Sequence, residues 1–279
     1  MNQALAIFVS VLLLGVFVGA FSLTPTIQTA GEVYSTEEQF KADVDAVPCN
    51  NEARLEAVRA LFEKMGAAGS EIAIEKMKDT ENLVVRKQGA SGEKIVIGAH
   101  YDKVSEGCGA IDNWTGIVIL AHLYRTMKQM RLDKTLIFVA FGKEEKGLLG
   151  SRAMASAIPK AELPQYCAMI NLDSFGLGAA QVAANLSSRK LEETAARLAK
   201  EKLMTFGNSP IPGDSDSSPF LARKIPALTL HGLAGNWPSI IHSGNDQTSR
   251  ILPGGVSVGY RLALALTLNV DKSPCDAFR

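Results

Sequence analysis

The sequence predicts an α/β protein, a three-layer α/β/α sandwich around a mostly parallel central sheet. Three observations predict it. Four runs, KIVIGA, TLIFVAFG, CAMINL and IPALTL, are almost continuously apolar, the signature of strands covered on both faces. Helical segments alternate with them, as in a chain that crosses between parallel strands. The chain has 279 residues, 47% of them apolar, enough for one sizeable core.

The elements follow in order. Ala4 to Leu23 carries no charge, and the first charged side chain is Glu32. Residues 1–30 read as a signal peptide or membrane anchor plus linker, and 31–279 as a single folded domain. The apolar run over residues 4–23 is long enough to span a bilayer, so membrane attachment is one reading. Val18-Gly19-Ala20 has the small residues of a cleavage site, so cleavage is the other. Both export the body of the chain.

STEEQFKADVDAV opens a helix at Ser35, with Glu38 completing a capping-box pattern. NEARLEAVRALFEKMGA sets Leu55, Val58, Leu61, Phe62 and Met65 at helical spacing. ENLVVRKQG and EKIVIGAHYD are strands, and DNWTGIVILAHLYRTMKQM is a mostly apolar helix in which His122 reads as packing. KTLIFVAFG and CAMINLD are strands. LEETAARLAKEKL is an amphipathic helix, SSPFLARK a short helix, IPALTL a strand, and GGVSVGYRLALALTLNV a closing helix.

Lys plus Arg and Asp plus Glu both number 29, and no basic stripe interleaves with aromatics, so a nucleic-acid partner is excluded. The four cysteines, Cys49, Cys108, Cys167 and Cys275, are an even set that suits disulfides in an oxidising compartment, with three connectivities open. None is spaced as CxxC, which argues against a cysteine-ligated zinc.

The chemistry collects where the strands end. After KIVIGA come His100 and Asp102, then Asp112 at the start of the next helix. After TLIFVAFG come Glu144 and Glu145, after CAMINL comes Asp173, and after IPALTL a loop carries His242 and Asp246. In parallel sheets ligands bind beyond the carboxyl ends of the strands, so all of these share one edge. His100, Asp112, Glu145, Asp173 and His242 form a mixed nitrogen and oxygen set suited to zinc. Five ligands suit two zinc ions if one carboxylate bridges, with metals about 3.5–4 Å apart as in two-metal hydrolases. The adjacent Glu144 and Glu145 would otherwise repel. Neighbours in sequence point different ways, so one can bind metal while the other works as a general base and acid.

In this order, His100-Tyr101-Asp102, GAIDNWTG, FGKEEKGLLGS, NLDSFG and IHSGNDQ resemble the zinc exopeptidases, a family that includes bacterial leucyl aminopeptidases, aminopeptidase Y and glutamate carboxypeptidase, with glutaminyl cyclases as relatives. The resemblance runs from about Glu93 to Asp246. It implies that Asp112 bridges two zinc ions, that His100 and Asp173 complete one site, and that Glu145 and His242 complete the other. It implies Glu144 as general base and acid, a metal-bridging hydroxide as nucleophile, and an Asp102 that accepts a hydrogen bond from His100 and orients it. Asp246 would support the His242 loop, and the Asp112–Asn113 peptide would be cis. The implied activity is an exported metallo-aminopeptidase acting on peptides at a chain end. A cyclase acting by acyl transfer and a carboxypeptidase using Arg152, Arg223 or Arg250 are the alternatives. One departure stands out: relatives often carry Ser-Asp-His where this chain has Ser215-Asp216-Ser217. Tyr101 and His231 are the two candidates for stabilising the tetrahedral intermediate.

Overall fold

A computed structural model gives the fold over residues 34–279. The expected export segment over residues 4–23, and the linker after it as far as Val33, lie outside the described residues. Among the described residues, no helix is long and apolar enough to cross a membrane.

Eight strands form one sheet: β1 Ile72–Lys76, β2 Glu81–Lys87, β3 Lys94–His100, β4 Thr135–Phe141, β5 Tyr166–Leu172, β6 Ala180–Ala183, β7 Phe206–Ser209 and β8 Ala227–His231. Their order is β1-β2-β4-β3-β5-β8-β6-β7. The middle four are parallel, in the order β4, β3, β5, β8. β1 and β2 run antiparallel on one side, and β6 pairs antiparallel with β8 on the other. The middle of the sheet is thus parallel as expected, and its flanks are mixed.

Among the described residues, seven α-helices cover it: α1 Glu37–Asp45, α2 Asn51–Lys64, α3 Thr115–Met127, α4 Leu149–Ala157, α5 Arg189–Glu201, α6 Ser218–Ala222 and α7 Pro253–Lys272. Alternation along each strand sorts the core. Ile95, Ile97, Leu136, Phe138, Ile170 and Leu228 pack on one face beneath α1, α2, α3, α5 and α7. Val96, Ile137, Val139, Met169 and Ala227 pack on the other beneath α4 and α6. This two-sided burial is the reason the strands read as continuous apolar runs.

Some details differ from the sequence reading. The first helix is capped one residue later than expected. Thr36 Oγ1 accepts from the Gln39 backbone at 3.4 Å, and Gln39 Oε1 accepts from the Thr36 N–H at 3.1 Å. The Ser35 hydroxyl instead bonds His122 Nδ1 at 2.6 Å. His122 is wholly buried, and its Nε2 faces Asp43 Oδ2 at 2.9 Å. It is thus a satisfied core imidazole that ties α3 to α1. Strands β1, β6 and β7 and helix α4 were not expected.

The cysteines pair as Cys49–Cys108 and Cys167–Cys275. The second pair joins positions 108 residues apart and fastens the C-terminal turn to β5. Replacing Cys167 and Cys275 with serine is expected to lower unfolding free energy by about 2–5 kcal/mol, most of it through the freed unfolded chain. Urea denaturation checks it.

Candidate metal centre

The carboxyl ends of β3, β4, β5 and β8 meet at one edge, and the structure brings all five expected ligands together there. His100 is the last residue of β3 and is 1% exposed. Its Nε2 lies 3.1 Å from Asp112 Oδ1 and 3.7 Å from Asp173 Oδ1. The other Asp112 oxygen, Oδ2, lies 3.0 Å from His242 Nε2, which is 3.3 Å from Glu145 Oε2. Two ligand clusters result, His100–Asp112–Asp173 and Asp112–Glu145–His242, and Asp112 belongs to both. The Asp112–Asn113 peptide is cis.

Each ligand has a reason to be where it is. β4 ends against a crowded corner, and a Cβ on Gly142 would lie 2.4 Å from the Glu81 carbonyl and 2.6 Å from Tyr101 Oη, so glycine alone lets the chain turn there. The backbone N–H groups of Glu144 and Glu145 then donate to the two oxygens of Asp102, at 2.9 and 3.2 Å. This corrects the role expected of Asp102. The His100 Nδ1 atom bonds the Asp102 backbone carbonyl at 3.2 Å, and the carboxylate lies 3.8 Å away, beyond hydrogen-bond reach. Asp102 therefore anchors the glutamate turn, and its main chain orients the imidazole.

Asp246 is corrected in the same way. Its carboxylate accepts from the Ile111 and Asp112 N–H groups at 2.7 and 3.2 Å, so it holds the bridging aspartate's own backbone. Asp173 is oriented by Ser215 Oγ at 2.6 Å and Ser174 Oγ at 3.0 Å. Ser217, the last residue of the Ser215-Asp216-Ser217 stretch, is buried and bonds the Leu186 carbonyl and Thr229 Oγ1. Of that stretch, Ser215 is the residue that touches a ligand candidate, through its bond to Asp173.

The electrostatics fit divalent cations. Burial, reinforced by Asp216, Asp173 and Asp112 and opposed by His100, pushes the Glu144 carboxyl up to about 10. Burial likewise pushes Asp216 up to about 7, against the opposing influence of His100 and Ser151. Burial opposes charge on His100, but Glu144, Asp112 and Asp173 outweigh it and raise the imidazole well above its ordinary value. Hydrogen bonds to Asp112 and Glu145 raise His242 to about 10. The same two imidazoles hold Asp112 well below the usual carboxylate range, against its burial. The cluster lacks positive charge, and protons on two imidazoles supply it where cations would. Glu145 Oε1 is buried with no partner, a carboxylate oxygen left open to coordinate a cation. Carboxylates and imidazoles in this number fit zinc.

A cavity of about 220 Å³ opens onto the cluster. His100, Asp112, Glu144, Asp173, His231 and His242 line its floor, and Ile211, Asp214, Leu233, Trp237 and Ile241 line its walls. No lysine or arginine lines it. Arg223 is occupied elsewhere, donating to the carbonyls of Ala155, Ser156 and Ile158. Tyr101 points away and donates to the Glu81 carbonyl at 3.0 Å. His231 is 1% exposed. Its Nδ1 accepts the Leu233 N–H at 3.3 Å, and its Nε2 has no partner. Burial pushes this imidazole down to about 4, against the charge of Asp173. It is therefore neutral near pH 7, with its proton on Nε2.

Sequence reasoning missed Arg54. It sits on α2, in a pattern that reads as an ordinary amphipathic helix, yet it is wholly buried beside the loop between His100 and Asp112. Nothing in the local pattern distinguishes it from a solvated arginine.

Comparisons with known proteins show the family. The family model described as Peptidase family M28 matches residues 82–267. Aminopeptidase YwaD of Bacillus subtilis (strain 168) is 38% identical over 82 residues, 29% of this chain and 18% of that protein. The solved aminopeptidase from Aneurinibacillus sp. strain AM-1 superposes with a TM-score of 0.59 at 25% identity, covering 66% of this chain and 47% of that one. A glutaminyl cyclase from an Acidobacteriales bacterium superposes at 0.69 with 17% identity, covering 85% and 92%, a likeness of fold. The chain spans 18% and 34% of the first two curated relatives it matches.

Proposed function

The chain belongs to peptidase family M28, and from that premise we propose that it is an exported di-zinc aminopeptidase, with Glu144 as general base and acid. The observation that carries the reading is the shared Asp112, whose two oxygens serve two separate clusters through His100 at 3.1 Å and His242 at 3.0 Å. His100 and Asp173 would hold one zinc, Glu145 and His242 the other, and Asp112 both. When bound, the pair would polarise the substrate carbonyl, acidify water and offset three buried carboxylates.

The remaining work belongs to the chain's own side chains. Glu144 takes a proton from the attacking water and returns it to the departing amine. Asp102 fixes the backbone from which Glu144 and Glu145 diverge, so base and ligand keep a constant separation. A cavity without arginine or lysine has nothing to pair with a substrate carboxylate, which disfavours carboxypeptidase action. Its carboxylates, Asp214 among them, suit a free α-amine. The two disulfides support an oxidising compartment outside the cytosol.

His231 supplies the donor that the mechanism needs. His231 lines the cavity and its neutral Nε2–H is unspent, which suits an oxygen that gains charge in the transition state. His231→Phe is expected to lower kcat about 10²–10³-fold with little change in KM. Steady-state kinetics at fixed zinc content check this.

The test of the function is one purified sample. Its zinc content is measured, and it is offered free dipeptides, N-blocked dipeptides and peptides with N-terminal glutamine. Two zincs and cleavage of free N-termini alone are expected. One zinc with a cyclised glutamine product and no hydrolysis would replace the reading with acyl transfer.

A further inference from the structure

The loop from Tyr101 to Ile111 connects two metal ligands, His100 and Asp112. It lies outside the strands and regular helices apart from the irregular turn that begins at Ala110, so its polar backbone groups need partners from elsewhere. Many of those partners come from one short stretch, Cys49 to Arg54. Cys49 is bonded to Cys108. Asn51 makes a two-way clasp with Lys103, Nδ2 donating to its carbonyl at 2.8 Å and Oδ1 accepting its N–H at 3.0 Å. Arg54 donates Nη1 to the Tyr101 carbonyl at 2.8 Å and Nη2 to the carbonyls of Cys108 and Gly109, both at 2.7 Å. Its Nε returns to the Pro48 carbonyl at 3.0 Å, and its guanidinium carbon lies 5.7 Å from the Trp114 ring centroid.

The guanidinium is wholly buried, and all four of its hydrogen bonds go to main-chain carbonyls. None goes to a carboxylate. Burial pushes its pKa down to about 10, and the charges of Asp246, Asp102, Asp112 and Glu145 oppose that fall, so it stays cationic at neutral pH. Burying a cation without a direct ion pair is expensive, so the position calls for a compensating use. A guanidinium bonded only to carbonyls can fix the loop without competing for a single ligand oxygen. The loop is built to receive it. Gly109 has φ +58°, and a Cβ there would lie 2.9 Å from Arg54 Nη2 and 2.6 Å from Lys103 Cβ. All of these clamp residues except those of the loop itself precede the segment 82–267 that carries the family match.

We propose that the stretch Cys49–Arg54 pre-positions the metal-bridging carboxylate, with Arg54 as the positioning residue that sets Asp112 between His100 and His242 before metal arrives. This rests on the di-zinc reading, and the test separates the two. The full chain is prepared as wild type, Arg54→Lys and Asn51→Ala. Zinc affinity is measured by chelator competition, the cobalt-loaded visible spectrum is recorded, and thermal unfolding is followed without metal. Lysine keeps the charge but cannot span three carbonyls. Arg54→Lys is expected to weaken zinc binding about 10–100-fold and alter the cobalt spectrum, as loss of a ligand's supporting partner does. Asn51→Ala, on an exposed residue, should weaken binding less and keep the fold, so it carries the test if the lysine variant does not fold. Lowered metal-free stability with unchanged affinity and spectrum in these variants would overturn the proposal, leaving Arg54 a structural residue. A wild type that takes up no divalent metal would bring down the function reading, and this proposal with it.

Discussion

Glu144→Gln is expected to lose about 10²–10⁴-fold in kcat while it keeps its zinc and its unfolding midpoint. Glutamine preserves the size of the side chain and one oxygen, but it cannot accept the proton that the mechanism requires. The Glu144 backbone stays where it is, because its N–H bonds to Asp102 rather than through its own side chain. Metal content should hold, because the two clusters that share Asp112 are completed by Asp173 and Glu145 without Glu144. Glu144 lies close enough to His100 and Glu145 to form a third possible ligand group, so the measurement discriminates between roles. If Glu144 were a ligand, the glutamine variant would lose metal in proportion to activity. Full activity in a metal-loaded Glu144→Ala would dismiss the base altogether. Zinc analysis and steady-state kinetics on the same preparation decide among these.

Much of this site was legible in the sequence because of how parallel sheets are built. Strands buried on both faces stand out as apolar runs, and the residue just past each run is at the ligand-binding edge. His100, Glu144, Glu145 and Asp173 could be read off in that way, and the spacing after β3 and β8 added Asp112 and His242. What could not be read was which atom of a residue does the work. The resemblance implies Asp102, two residues past His100, as the imidazole's partner. In the fold its carbonyl takes that bond, while its carboxylate turns to the next strand's loop. Asp246 sits four residues past His242, yet it serves the backbone of Asp112 from across the site. Contacts between residues this far apart in sequence depend on loop paths that a local pattern does not encode. The short outer strands escaped for a different reason. β7 is the four residues FGNS, none of them fully buried, so it carries neither an apolar run nor a clear alternation. Arg54 escaped because helical periodicity treats any charged residue as solvent-facing.

Asp112→Asn is expected to remove both zincs, whereas His242→Ala should leave one. The argument is geometric. Each Asp112 oxygen faces a different imidazole, Oδ1 toward His100 and Oδ2 toward His242. An asparagine in either flip presents an amide nitrogen to one side and a neutral oxygen to the other, so both sites lose charge and one loses its ligand atom outright. Removing His242 touches only the outer cluster, whose imidazole side chain is 54% exposed, and leaves His100, Asp112 and Asp173 intact within the buried one. Hydrolysis by Asp112→Asn should fall 10³-fold or more, on the order of the several kcal/mol that bound metals supply to a transition state. His242→Ala should be poor in activity but should still bind a single zinc in elemental analysis. Two zincs retained by Asp112→Asn would mean that the carboxylate does not bridge. A total loss of metal in His242→Ala would mean that the buried site cannot fill alone, so that the exposed imidazole, rather than the shared aspartate, is where metal binding begins.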